Sequence, residues 1–276
     1  MRLTGYTHQG TRFIGAVEDG VIRTLGTARD FYADPAAALA RTPGEAVPFG
    51  DVERAPALPE TARIFCVGIN YRSHAVESKE LAGLDQPKVP MVFGRFAQSL
   101  TVDDTTVPIP PNEAGLDWEV ELAAVIGTEA WDVTEDSAMD HVLGYAAFND
   151  LSARRKQLET PQFTLGKNAD LSGPISDVVT KDEVGDPRDG LRVTTRVNGE
   201  LMQDANTKDL IHTLGQIIAY ITDTVTLLPG DVIATGTPGG VGAGRKPPIF
   251  LTDGDTVVVE VERVGRVTTH VADRRG

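Results

Sequence analysis

The sequence predicts a mostly β protein of the α+β class, and three observations carry that expectation. Short apolar runs of strand-like composition, punctuated by glycine, proline and acidic residues, recur along its 276 residues. Only one stretch, 207 to 222, repeats apolar residues at helical spacing over several turns. An Asp-Gly pair, Asp19-Gly20, separates two strand-like runs near the N-terminus and is a strong hairpin signal.

In chain order, Arg12 to Val17 and Val21 to Leu25 form that hairpin, and a short helix is expected around Pro35 to Leu39. Residues 41 to 61 carry Pro43, Pro48, Pro56 and Pro59 among charges and read as a connector. This places a small N-terminal domain plus linker at 1–60 and a larger domain at 61–276. Ile64 to Ile69 is a buried strand that delivers Asn70-Tyr71-Arg72-Ser73-His74, and a helix-compatible stretch then ends at Gly83. Val89 to Arg95 is the next strand, followed by the run from Leu116 through Ile126. Ser137 to Leu143, with caps among Thr134, Asp136 and Ser137, is a short helix. Gly144 to Phe148 is apolar and ends at Asn149-Asp150. Leu210, Ile211, Leu214, Ile217, Ile218 and Ile221 make one apolar stripe, so Thr207 to Thr222 is the clearest helix and is scaffold. Thr224 to Leu228, Asp231 to Thr235 and Thr256 to Val261 are strands.

Composition narrows the partners. The formal charge is −14, with no block of lysine or arginine, which excludes nucleic acid and an anionic membrane surface as expected partners. The same charge repels an anionic substrate unless a bound cation reverses the field locally. The single cysteine, Cys66, lies in an apolar run, so no intrachain disulfide is possible and Cys66 reads as core. No segment approaches a membrane span, and the N-terminus lacks an apolar signal core, so a cytoplasmic protein is expected.

The chain is organised around Leu116-Asp117-Trp118-Glu119-Val120-Glu121-Leu122. Strand side chains alternate faces, so Glu119 and Glu121 point the same way and repel unless a proton or a cation neutralises them. Asp150 ends a separate buried strand, where an unpaired acid is costly. Three carboxylates without cysteine or histidine form a hard-oxygen set, suiting Mg²⁺, Mn²⁺ or Ca²⁺ better than Zn²⁺. The alternative is a solvated strand face. His74 and Glu77, three apart on a helical turn, form either a general base with its orienting acid or a surface pair. Arg154 and Gln157 follow Asp150 by four and seven, which on a helical turn places all three on one face. Arg154 then orients Asp150, meets a substrate carboxylate, or is a structural ion-pair partner. Lys167 sits in a loop-like glycine context. Gly236 to Gly242 lacks the Gly-Lys-Ser/Thr ending of a phosphate loop and reads as a tight turn whose Thr237 hydroxyl and amides can hold a carboxylate. His8, His141, His212 and His270 read as structural or exposed.

Across residues 62 to 265 the chain resembles the fumarylacetoacetate hydrolase family. The resemblance rests on Val67 to Tyr71 with His74 and Glu77, and on Asp117 to Leu122. It continues through Gly144-Tyr145 to Asn149-Asp150, Ala153-Arg154, Gln162 to Lys167, Val197 to Glu200 and Pro229 to Pro238. The order and spacing of these stretches are more specific than any one of them. The resemblance implies a mixed β-sandwich roll with a small N-terminal β-rich domain and a metal held by Glu119, Glu121 and Asp150. It implies His74 with Glu77 as the base on a mobile lid that includes Ser78 to Lys88, and Lys167 beside the metal and substrate. Tyr71, Arg154, Gln157 and Thr237 then serve substrate binding. The implied substrate is a small 2-oxo acid, and the implied assembly is a homodimer.

The implied chemistry is C–C hydrolysis of an acylpyruvate through a metal-stabilised pyruvate enolate, since His74 and Glu77 suit a reaction that uses a base. Oxaloacetate decarboxylation and isomerisation of a 2-hydroxy-diene dioate use the same site. A non-catalytic dicarboxylate-binding protein is the alternative of another class.

Overall fold

In the computed structural model, which describes residues 1–83 and 85–274, the chain opens with a meander of β1 (Arg2–His8), β2 (Thr11–Glu18) and β3 (Val21–Thr27). Asp19 and Gly20 both take positive φ, 49° and 79°, as a two-residue Asp-Gly hairpin turn requires. Helices α1 (Ala28–Ala33) and α2 (Pro35–Ala40) follow, capped by the Thr27 and Asp34 side chains. The expected connector is not bare. Within it β4 (Ala46–Pro48) pairs with β3 and β5 (Glu53–Ala55) pairs with β1, both as short edge strands that tolerate nearby proline.

Next come β6 (Arg63–Gly68), α3 (Arg72–Ala82), β7 (Met91–Phe96), β8 (Leu100–Thr101), β9 (Thr105–Ile109), β10 (Leu116–Asp117) and β11 (Val120–Ile126). The middle of the chain holds α4 (Glu135–Ala138), β12 (Val142–Asn149), β13 (Ser152–Ala153), α5 (Arg154–Gln157) and α6 (Thr164–Lys167). The remainder is β14 (Gly173–Pro174), β15 (Val178–Thr180), α7 (Lys181–Val184), β16 (Arg192–Val197), β17 (Glu200–Asn206), α8 (Leu214–Thr222), β18 (Val232–Ala234), β19 (Thr256–Val261) and β20 (Gly265–Asp273).

An eleven-stranded sheet runs β4-β3-β2-β1-β15-β12-β11-β18-β6-β7, with β5 also on β1. A five-stranded sheet, β17-β16-β19-β20-β9, packs against it. The N-terminal meander enters the large sheet where Arg2 and Leu3 pair with Val179 and Val178. β11 is buried along its whole length. Its Val120, Leu122, Ala124 and Ile126 face the core shared with the five-stranded sheet and α8, while Ala123 and Val125 face a second core with Leu3, Phe31 and Leu58. A strand covered on both faces reads as a continuous apolar run, as this one does. Cys66 lies fully buried in the second core. The mostly β, α+β architecture expected from the sequence is the one observed.

Three local expectations need correction. The helix expected over 207–222 begins only at Leu214, because Thr213 and Gln216 close a capping box there. Leu210 instead bridges to Tyr71, and the Ile211 amide donates to the Asn70 carbonyl. The helix expected at 137–143 is α4 plus a 3₁₀ turn, and Val142 already belongs to β12. Thr224 to Leu228 forms no strand and contributes a single bridge, Leu227 to Ala130. The expected lid crosses Leu84, which lies outside the described residues. Among the described residues no helix is long and apolar enough to cross a membrane.

Candidate metal centre

The antiparallel register of β11 and β12 builds the centre. Val120 pairs with Asn149, and one step outward the Asp150 amide donates to the Glu119 carbonyl at 2.9 Å. Asp150 therefore stands across from Glu119, with Glu121 two residues further along the same face. The three carboxylates each offer an oxygen within 4.8 Å of the others, and all are buried. The Asn149 side chain supports the bend by accepting from the Glu119 amide at 3.2 Å.

Cations surround the cluster. Lys167 Nζ lies 2.8 Å from Glu119 Oε2 and 2.5 Å from Asp150 Oδ2. Lys167 ends a one-turn helix, α6, and not the loop the sequence suggested. Gly166 makes that approach possible, since a Cβ there would lie 2.3 Å from the Gln157 backbone. Arg95, on β7, donates to Asp150 Oδ1 at 2.5 Å and also to Ser99, Ser172 and the Leu151 carbonyl. Arg154 does not share a helical face with Asp150, because the chain between them is extended through β13. It binds Asp117 at 2.9 Å and Glu119 at 2.6 Å, and donates to Gln157.

These neighbours split the carboxylates electrostatically. Burial raises Glu119, but Lys167, Arg154 and His74 outweigh it and bring its pKa to about 2. Glu121 moves the other way. Burial first, then Asp150 and Glu119, push it well above the usual carboxylate range, although Lys167 and the Gly236 amide at 2.9 Å oppose the shift. Burial disfavours the Lys167 ammonium, yet Asp150 and Glu119 hold its pKa above the ordinary lysine value. An all-carboxylate oxygen set with one member starved of positive charge fits a hard divalent cation.

The cluster opens onto a cavity of about 130 Å³ whose wall includes Glu119, Glu121, Arg154, Gln157, Lys167 and Thr237. An engineered cavity of about 150 Å³ holds benzene, so this volume suits a small molecule. His74 lies on the same wall, with Nδ1 3.1 Å from Glu77 Oε2. Glu77 Oε1 accepts from the Gly240 amide at 3.0 Å and Ser73 Oγ accepts from the Gly239 amide at 3.0 Å, tying α3 to the glycine-rich turn.

That turn is used internally. The Gly236 amide serves Glu121, and the Gly242 and Ala243 amides serve Asp117 at 2.7 and 2.9 Å. Thr237 reaches the cavity, and its oxygen accepts from Gln203 at 2.9 Å. Tyr71 is fully buried, is absent from the cavity wall, and has a hydroxyl without a partner among the described residues. It packs behind the site, not in it. Asp150 is also hidden, behind the wall that Lys167 forms. Among the remaining histidines, His141 meets Thr128, and His270 meets Asp104 at 2.8 Å.

Sequence reasoning assigned no role to Arg95 or Asp117. Each carried a signal in the sequence: an arginine inside the apolar run Val92-Phe93-Gly94-Arg95-Phe96, and an aspartate between Leu116 and Trp118. A charge in a buried strand has to be paired.

Comparison with known proteins identifies the family and the fold. The human mitochondrial oxaloacetate tautomerase is 42% identical over 212 residues, covering 76% of this chain. The match spans 66% of that protein, and 65% of the Xenopus laevis tautomerase, so the chain spans a little under two thirds of these relatives' length. The solved 2-hydroxyhepta-2,4-diene-1,7-dioate isomerase from Mycobacterium marinum superposes with a TM-score of 0.79 at 31% identity, covering 100% of both chains. The fumarylpyruvate hydrolase from Pseudomonas aeruginosa, solved in complex with Mn²⁺ and pyruvate, gives 0.70 at 28% identity and covers 79% of this chain and 91% of that one. A family model described as the C-terminal part of fumarylacetoacetate hydrolase matches residues 63–272. Most of the chain, including every residue of the carboxylate cluster, falls inside that match, and the chain belongs to the fumarylacetoacetate hydrolase family.

Proposed function

We propose that the chain hydrolyses the C3–C4 bond of an acylpyruvate-type 2,4-dioxo acid, using Mg²⁺ or Mn²⁺, with Ca²⁺ also compatible, held by Glu119, Glu121 and Asp150. One observation carries this reading: two of the three clustered carboxylates and His74, whose Nδ1 meets Glu77, face one cavity of small-molecule size. When bound, the cation supplies Lewis acidity toward the 2-oxo oxygen and reverses the negative field that would repel an anion.

The chain's own residues do the rest. Arg154, whose Nη2 is buried without a partner among the described residues, and the Thr237 hydroxyl hold the substrate carboxylate. Gln157 orients Arg154. Glu77 accepts from His74 Nδ1, which leaves Nε2 to take a proton from water. The water oxygen bonds to C4, the C3–C4 bond breaks, and its electron pair passes to the pyruvate enolate. Two N–H groups of Lys167 are occupied by Glu119 and Asp150, and the third stabilises the enolate oxygen. Protonation at C3 completes pyruvate, and the acyl fragment leaves as a carboxylic acid.

A second reading, proton transfer on a 2-oxo acid without C–C cleavage, is favoured by the identity to proteins named oxaloacetate tautomerases. The two separate by product. An acylpyruvate incubated with Mg²⁺ and followed by NMR is expected to yield equimolar pyruvate and carboxylic acid, with loss of turnover in EDTA and in His74→Ala. Keto–enol exchange without cleavage would favour the second reading, release of CO₂ from oxaloacetate alone a decarboxylase, and binding without turnover a non-catalytic dicarboxylate-binding protein. We also infer a homodimer: β7 ends the large sheet and exposes Phe96 and Val92, an apolar edge suited to a second copy. Sedimentation at micromolar concentration tests this.

A further inference from the structure

Helix α3 inverts the usual distribution of polarity. Val76 is 64% exposed, while Ser78, on the face that turns inward with Ala75, is only 7% exposed. An amphipathic helix puts an apolar residue at such a position, and serine is a weaker helix former than alanine because its hydroxyl competes for backbone groups. A serine inside a helix can settle that competition by donating to the carbonyl four residues back. Ser78 does not, and its hydroxyl makes no hydrogen bond among the described residues.

Ser78 belongs instead to the cavity wall. Its polar neighbours on that wall are already engaged: His74 meets Glu77, Gln157 meets Arg154, and Thr237 meets Gln203. A hydroxyl withdrawn from bulk water without a partner is costly. A helix position that breaks the local pattern and gains nothing inside the chain points to a partner from outside it.

Place on the helix says which part of a ligand that partner is. His74 and Ser78 stand four residues apart on one side of α3, about 6 Å along its axis. With the 2-oxo-acid head at Arg154 and the carboxylate cluster, and C4 beside His74, Ser78 meets an atom a few bonds beyond C4. Met91, Phe93, Leu158 and Phe163, on the same wall, offer no side-chain hydrogen bond to an oxygen there.

Resting on the 2-oxo-acid reading above, we propose that Ser78 is a specificity-determining residue, whose hydroxyl donates to an oxygen acceptor, carbonyl or carboxylate, on the substrate tail beyond C4. Calorimetric titration of the Mg²⁺-loaded protein with 2-oxoheptanoate, 2,6-dioxoheptanoate and 2-oxoheptanedioate tests this, with pyruvate as the shared head group. The three are equal in carbon number, and their tails carry no oxygen, a neutral carbonyl and a carboxylate. At least one oxygen-bearing tail is expected to bind about tenfold tighter than 2-oxoheptanoate, and Ser78→Ala to lower that ratio by about tenfold. A gain in the carbonyl arm alone identifies a neutral acceptor, and a gain in the dioate arm alone a carboxylate. Alanine is the better helix former, so the variant keeps α3. A ratio unchanged in Ser78→Ala, or no preference for either oxygen-bearing tail in the unmodified chain, would overturn the assignment of Ser78 while pyruvate binding kept the 2-oxo-acid reading intact. Failure of all four ligands to bind would overturn both.

Discussion

At Glu121, burial and two neighbouring carboxylates push in one direction, and among the groups on the cavity wall it is the one most in need of a cation. A carboxyl whose folded pKa is raised contributes stability that is full below its unfolded value near 4.5 and is lost as pH rises through the folded value. In EDTA, stability should therefore decline from about pH 4.5 toward neutrality, and Mg²⁺ should remove that decline. Glu121→Gln should raise metal-free stability at pH 7 by about 1–2 kcal/mol while weakening metal binding by about 100-fold or more, read by urea unfolding with and without Mg²⁺. Arg95 gives the opposite case. It is buried, and its ion pair with Asp150 is shielded from solvent. Arg95→Gln should cost about 3 kcal/mol, because it leaves a buried carboxylate short of a partner, and should weaken Mg²⁺ binding by displacing Asp150. Unchanged stability and affinity in that variant would show that Lys167 alone fixes Asp150.

Among the elements, the paired strands β11 and β12 were the most legible part of the site. Period-two alternation put Glu119 and Glu121 on one face, and the apolar run ending at Asp150 supplied a second strand. The facing register of Glu119 and Asp150 is a long-range pairing that no local pattern encodes. Short helices were harder. α5 and α6 are single turns, below the length at which periodicity speaks, so Lys167 looked like a loop residue and Arg154 like a helical neighbour of Asp150. The apolar stripe from Leu210 overstated α8, because Leu210 is buried through a bridge to Tyr71 and not through a helix. The contact between α5 and α6 is also where an element-scale test belongs. Gly166→Ala would drive a methyl into the Gln157 backbone, and an expected loss of about 1–3 kcal/mol in chemical denaturation should accompany weakened pyruvate binding through Lys167 and Gln157.

For the molecule as a whole, composition and pattern sufficed for the mostly β class, and the quoted motifs sufficed for the family. They did not reveal that the N-terminal meander hydrogen-bonds into the same large sheet, since Arg2–Val179 pairing spans most of the chain. Net charge is the property that ties the scales together. A chain of formal charge −14 attracts a carboxylate substrate only where its field is locally reversed, and the described residues place one carboxylate cluster where a divalent ion would do so.

Isothermal titration of metal-stripped protein with Mn²⁺ at pH 7.5 tests that centre most directly. One ion per chain is expected, with affinity lowered by about 100-fold or more in Glu121→Gln and in Asp150→Asn. Binding that survives both substitutions unchanged, or no binding by the unmodified chain, would contradict it.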